Sequence, residues 1–76
     1  MADEISTLMT SCQGKIVLLR LRNTKTIPGT LIDFDIHMNL TLDNAEDISE
    51  EKHIGLGKVL LRGDNILAIS LPTDES

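Results

Sequence analysis

Residues 57–70, GKVLLRGDNILAIS, hold two strand-length apolar runs separated by little more than Gly63 and Asp64. Val59, Leu60 and Leu61 before that break, and Ile66, Leu67, Ala68, Ile69 and Leu71 after it, leave almost no position for a water-facing side chain. Strands of this kind are normally covered on both faces, and the short spacing favours a very tight connection between them. A chain of 76 residues builds one core at most, too little to cover both faces of a sheet. The second face must be covered by an N-terminal helix or by a neighbouring subunit. Oligomerisation is also the common source of stability for so small a domain without metal or disulfide.

The rest of the chain supplies the partners of these strands. A short helix is expected over about residues 3–13: Asp3 or Ser6 can cap it, Ile5, Leu8, Met9 and Cys12 recur on one face, and Gly14 can end it. From Lys15 the period changes to two, with Val17, Leu19 and Leu21 alternating against Ile16, Leu18, Arg20 and Arg22. Residues 23–25 form a turn. A second strand over about residues 26–36 contains Gly29, and its apolar positions Leu31 and Phe34 are an odd number apart, which requires a bulge or sharp bend. Pro28 cannot donate to a ladder, which puts the pairing at the start of this strand in question. A third strand, residues 39–42, leads into DNAEDISEEKHIG, expected as a polar loop or extended hairpin connection. Strands four (58–62) and five (65–71) follow, then a short polar tail, 72–76. The expected fold is mainly β, a single domain over residues 1–76: an N-terminal helix, then a strongly bent five-stranded antiparallel sheet forming a small open barrel.

Composition excludes several functions. A formal net charge of −5 argues against a protein that grips nucleic acid through a broad basic face. The cations are grouped, Lys15, Arg20, Arg22 and Lys25 early and Lys52, Lys58 and Arg62 late. Cys12 is the only cysteine, which excludes an intramolecular disulfide and suits a reducing, cytoplasmic setting. No apolar run has membrane-spanning length, and MADEISTLM carries acids where a secretory signal carries positive charge. Cys12, His37 and His53 lack zinc-like spacing. Asp33 and Asp35 sit on one strand with no general acid or nucleophile beside them, and there is no phosphate-cradling glycine motif. No enzyme, metal or cofactor is expected.

Polar residues close the apolar strands instead: His37 and Asn39 in FDIHMNLTLDNAE (34–46), and Arg62, Asp64 and Asn65 in the second segment. A planar ring, a planar cation and a directional amide are what a single-stranded RNA base requires. Taken singly, His37, Asn39 and Asp64 read as turn formers and Arg62 as an ion-pair donor to Asp33 or Asp35. Together, the FDIHMNL and LRGDNI cores are specific. The chain resembles an Sm-like protein, of the family that includes archaeal Sm-like proteins, eukaryotic Sm and Lsm proteins and, more distantly, bacterial Hfq. The first Sm motif matches GKIVLLRLRNTKTIPGTLIDFDIHMNLTLDNAE (about 14–46), a variable loop covers about 43–56, and the second motif covers about 57–71.

The resemblance implies a closed homo-oligomeric ring, a heptamer first and a hexamer second, in which strand four of one subunit pairs with strand five of the next. Each subunit would hold one nucleotide of a uridine-rich single strand at the central pore. By residue match, His37 stacks on the base, Arg62 covers its other side, Asn39 bonds its edge and Asp64 orients Asn39. Gly63 lets the loops pack closely, with Asp35, Met38 and Asn65 in support, Asp35 by bonding to loop backbone. The implied roles are RNA processing, turnover or chaperoning, with RNA-processing proteins as further partners. The competing expectation is a ring scaffold that recruits proteins and binds RNA weakly or not at all. Two departures stand out: residues 23–25 lack the usual glycine, and Ile27-Pro28-Gly29 replaces more usual aromatic and basic residues.

Overall fold

The computed structural model describes residues 4–71, so Asp3 and the tail 72–76 lie outside it. Helix α1 spans Glu4–Ser11. Ser6 lies inside its first turn and therefore cannot be the cap that precedes it. The expected apolar face is only half used, with Met9 and Cys12 buried but Ile5 60% and Leu8 51% exposed. Only the end of this two-turn helix and the turn that follows overlie the core. Gly14 then takes φ +84, and its N–H donates to the Leu31 carbonyl at 2.7 Å.

Strand β1 (Ile16–Leu21) buries Val17, Leu19 and Leu21 and exposes Ile16 and Arg20, as the alternation requires. Strand β2 (Thr26–Phe34) pairs with it from Arg20↔Thr26 to Ile16↔Thr30. Pro28 does not interrupt this ladder. Leu21 N bonds to Lys25 O and Leu31 N to Lys15 O, each at 2.9 Å, so odd-numbered residues of β2 exchange hydrogen bonds with β1 and Pro28, opposite Leu18, sits at a non-bonded pair. Its nitrogen points away from β1, ahead of the pairing of β2 with β3, which begins at Thr30.

The odd spacing of Leu31 and Phe34 has the anticipated cause. Pairing with β3 (Leu40–Asp47) steps from Leu31↔Leu42 to Asp33↔Thr41, so Ile32 is an extra residue and the strand bends there. Leu31 is fully buried, and Phe34 packs against the core from its edge. β2 ends at Phe34 rather than at residue 36, and Ile36 stands 90% exposed in the loop that follows.

The third and fourth strands are longer than the sequence suggests. β3 continues to Asp47 and β4 occupies Ile54–Leu61, so most of the expected polar loop is a twisted hairpin and the connection proper is residues 48–53. This arm runs past the core. From Ile54 to Lys58 every residue is exposed, and irregularities at Leu42/Ala45 and Ala45/Glu46 break the register. Asp47 anchors the connection by accepting Ser49 N (3.0 Å) and Ser49 Oγ (2.6 Å) and pairing with Lys25 at 3.3 Å. These contacts, those from Ser49 foremost, hold its carboxyl below the ordinary value.

A 3-10 turn, Gly63–Asn65, leads to β5 (Ile66–Ser70), which pairs with β1. The sheet order is β4-β3-β2-β1-β5, so the two strands apolar on both faces are its two edges. Their inner residues join a core of Met9, Cys12, Val17, Leu19, Leu21, Ile27, Leu31, Leu40, Leu42 and Ala45. Their outer residues stay open, Leu60 at 72% and Leu67 at 62%. Helix α1 does not cover them.

The turn after β1 carries Thr24 at φ +66, where a β-branched side chain is strained by about 1–3 kcal/mol. Thr24→Gly relieves that strain at the cost of roughly 0.5–1 kcal/mol of extra chain entropy. The expected result is a gain of about 1 kcal/mol, read as a higher urea midpoint at fixed protein concentration. An unchanged or lower midpoint would show that the turn is not strained.

Candidate nucleic-acid interface

The loop between β2 and β3 is built around one carboxylate. Asp35 Oδ1 accepts the N–H groups of His37 (2.9 Å) and Asn39 (3.0 Å), and Oδ2 accepts Asn39 Nδ2 at 3.0 Å. The main chain closes the turn with Met38 N to Asp35 O at 3.0 Å and Asp35 N to Asn39 O at 3.2 Å. Met38 takes φ +63 while its side chain packs against the core. The expected role of Asp35 in bonding to loop backbone is present in this geometry.

Asn39 joins this loop to the β4–β5 turn. Its Oδ1 accepts Gly63 N–H at 2.7 Å. A carboxylate can only accept and a backbone N–H can only donate, so the amide has one allowed orientation, with one Nδ2 hydrogen left over. Gly63 approaches so closely that a Cβ there would overlap the His37 carbonyl and lie 2.9 Å from Met38 O. The absence of a side chain, rather than backbone freedom, is what this position needs.

The family resemblance assigns Asp64 the orienting of Asn39, and the structure corrects this. The Asn39 side chain is held by Asp35 and Gly63. Asp64 turns the other way, its carboxylate 3.4 Å from Arg62 Nη2 and its carbonyl accepting Arg22 Nε at 2.8 Å. Arg62 therefore pairs with Asp64 rather than with Asp33 or Asp35, and Asp33 accepts the N–H of Phe34 at 2.9 Å. Asn65 contributes main chain, donating to Arg62 O (3.0 Å) and accepting from Arg22 N (2.8 Å). His53 is exposed and pairs with Glu46 at 3.2 Å.

Asp35, His37, Asn39, Leu60, Arg62 and Asp64 line one open cleft of about 430 Å³. Two residues around it carry no signal in the sequence. Leu60 reads only as part of an apolar strand, and Arg22 gives no local sign that it braces a turn more than forty positions away. Among the described residues no group of three His, Cys, Asp or Glu is placed to hold a metal ion, and no helix is long and apolar enough to cross a membrane.

This fold and cleft define a class of small, strongly bent five-stranded β-domain with one helix at its start. The chain belongs to the LSM domain family, which matches residues 7–71. An Sm-like protein of Methanosarcina barkeri is 37% identical over 71 residues, 92% of this chain and 99% of its own length. Among solved structures, the heptameric SmAP1 of P. aerophilum superposes with a TM-score of 0.88 at 34% identity, covering 96% of this chain and 99% of that one. The Sm protein of Pyrococcus abyssii, solved with a uridine heptamer, gives a TM-score of 0.81 at 37% identity over 88% and 96% of the two chains.

The Asn39 N–H groups, and after them His37, hold the Asp35 carboxyl below its ordinary 3.8. A depressed folded value means that the network stabilises the loop fully above the ordinary value and is lost only as pH falls through the lower one. In an NMR titration the His37 and Asn39 amide resonances should move with a midpoint below 3.8; movement centred above that value would contradict the network. Gly63→Ala should cost about 1–3 kcal/mol by overpacking the two loops, measured by denaturant unfolding. A neutral result would mean that the two loops are not in contact.

Proposed function

We propose that the chain assembles into a closed ring through pairing of β4 with the β5 edge of the next subunit, and that the ring binds uridine-rich single-stranded RNA at its pore. It acts as a binding protein, not an enzyme, in cytoplasmic RNA processing, turnover or chaperoning. The observation that carries this reading is the locked Asn39 amide, set in a cleft that His37 and Arg62 also line. Stacking on an imidazole and a guanidinium holds a base of any identity, at roughly 1–3 kcal/mol per base. A single outward N–H selects a carbonyl edge over an amino edge, which favours uracil over cytosine.

The open edges support assembly. β4 and β5 lie at opposite ends of one sheet with exposed Leu60 and Leu67, and a heterologous contact between such edges propagates head to tail until it closes. The relatives support the number and the ligand, one being a heptamer and another holding a uridine heptamer. Repetition of a modest site around a ring raises affinity by making later contacts intramolecular, so an acidic chain has no need of a broad basic face.

Fluorescence anisotropy with oligouridine and oligocytidine on size-verified rings tests the assignment. Arg62→Ala should weaken both ligands, since it removes stacking area and charge together. His37→Ala should lose roughly 1–3 kcal/mol per occupied site. Asn39→Ala should mainly erode the preference for uridine. Three variants that bind like the wild type would remove the cleft from RNA recognition, and a stable folded monomer in analytical ultracentrifugation would remove the ring.

A further inference from the structure

Three of the seven Lys and Arg residues converge away from the cleft. Arg20, Arg22 and Lys25 line a groove of about 150 Å³ at the end of β1, together with Thr24 and Thr26 and bordered by Leu67 of the β5 edge, which the next subunit covers in the proposed ring. Arg20 is the last exposed residue of β1 and Arg22 opens the turn that follows; both are exposed and both line the groove. Among the described residues the ion pairs are Lys25–Asp47, His53–Glu46 and Arg62–Asp64. Neither Arg20 nor Arg22 has a carboxylate of residues 4–71 within ion-pairing distance, in a chain with twelve acids. Adjacent like charges repel, and no acid among the described residues neutralises these two.

One hydrogen bond links the lining of the groove to that of the base cleft. Arg22 Nε donates to the Asp64 carbonyl, and Asp64 is a wall of the cleft, so Arg22 stands between the two, its Nη groups without a partner among the described residues. We propose that this groove binds the phosphodiester backbone of the same single strand where it leaves the cleft. The proposal rests on the RNA reading above. Guanidinium groups offer paired donors suited to phosphate oxygens, and no aromatic side chain lines the groove to stack a base. Contacts of this type position a strand without reading its sequence. They would give the ring a sequence-independent exit track beside its uridine-selective site.

The test compares wild type and Arg20→Gln rings on two ligands over a salt series: a uridine heptamer, the ligand of the P. abyssii complex, and an oligouridine several times longer. The heptamer, which fills the clefts, should bind both rings equally. The long strand should bind Arg20→Gln several-fold more weakly, with a log–log salt slope reduced by roughly 0.7 for each phosphate that is no longer neutralised. Arg20→Lys, which keeps the charge, should retain most of the slope. Equal binding of the long strand by wild type and Arg20→Gln overturns the proposal and leaves an acidic protein surface as the occupant. An equal loss for both ligands also overturns it, because Arg20 would then act through the cleft. A wild type that binds neither ligand instead refutes the RNA reading on which the proposal rests.

Discussion

One extra residue shapes the molecule. Ile32, unmatched between the Leu31↔Leu42 and Asp33↔Thr41 pairs, bends β2 and lets a five-stranded sheet enclose its own core. The bend puts Leu31, Leu40 and Leu42 out of contact with water without a second sheet. It also carries β2 onward into the Asp35 loop, beside the β4–β5 turn. Core closure and site assembly are thus two results of a single backbone irregularity.

The site then depends on reciprocal satisfaction of polar groups rather than on burial. Asp35, Asn39 and Gly63 use each other's donors and acceptors so completely that the Asn39 amide has no alternative orientation. Preorganisation of this kind lowers the ordering cost of binding. The His37 and Arg62 side chains, by contrast, are exposed and lightly held, Arg62 by a long contact to Asp64. The Asn39 amide is fixed in advance, whereas the His37 ring and the Arg62 guanidinium are left free to adjust.

Much of this is legible in the sequence where burial imposes a pattern. The alternation of Val17, Leu19 and Leu21 locates β1, the odd spacing of Leu31 and Phe34 locates the bend, and the two-faced apolar strands point to open edges. Patterning fails where burial is absent. In the outer arms only Ala45 reaches the core, and Ile54–Lys58 of β4 are exposed throughout, so the polar residues and Gly55 and Gly57 look like a loop. The role of Asp64 is misplaced for a different reason: the contact that matters spans 24 positions, from Asn39 to Gly63, and uses a backbone N–H that no side-chain pattern reports. At α1, periodicity identifies a face of four apolar residues but cannot say that the core reaches only Met9 and Cys12.

The strand order has a further consequence. In the proposed ring, with β4 and β5 at opposite margins, the rotation that carries one subunit onto the next would be set inside each subunit, by the curvature between its two margins. The bulge at Ile32 and the irregularities of β3 and β4 would then be part of a protractor, fixing the angle whose repetition has to reach a full circle. A chain whose curvature changed slightly, with both edges intact, would still join its neighbours but would close at a different count or wind into an open helix. Subunit number in such a protein is a property of backbone geometry well away from the contact that joins the subunits.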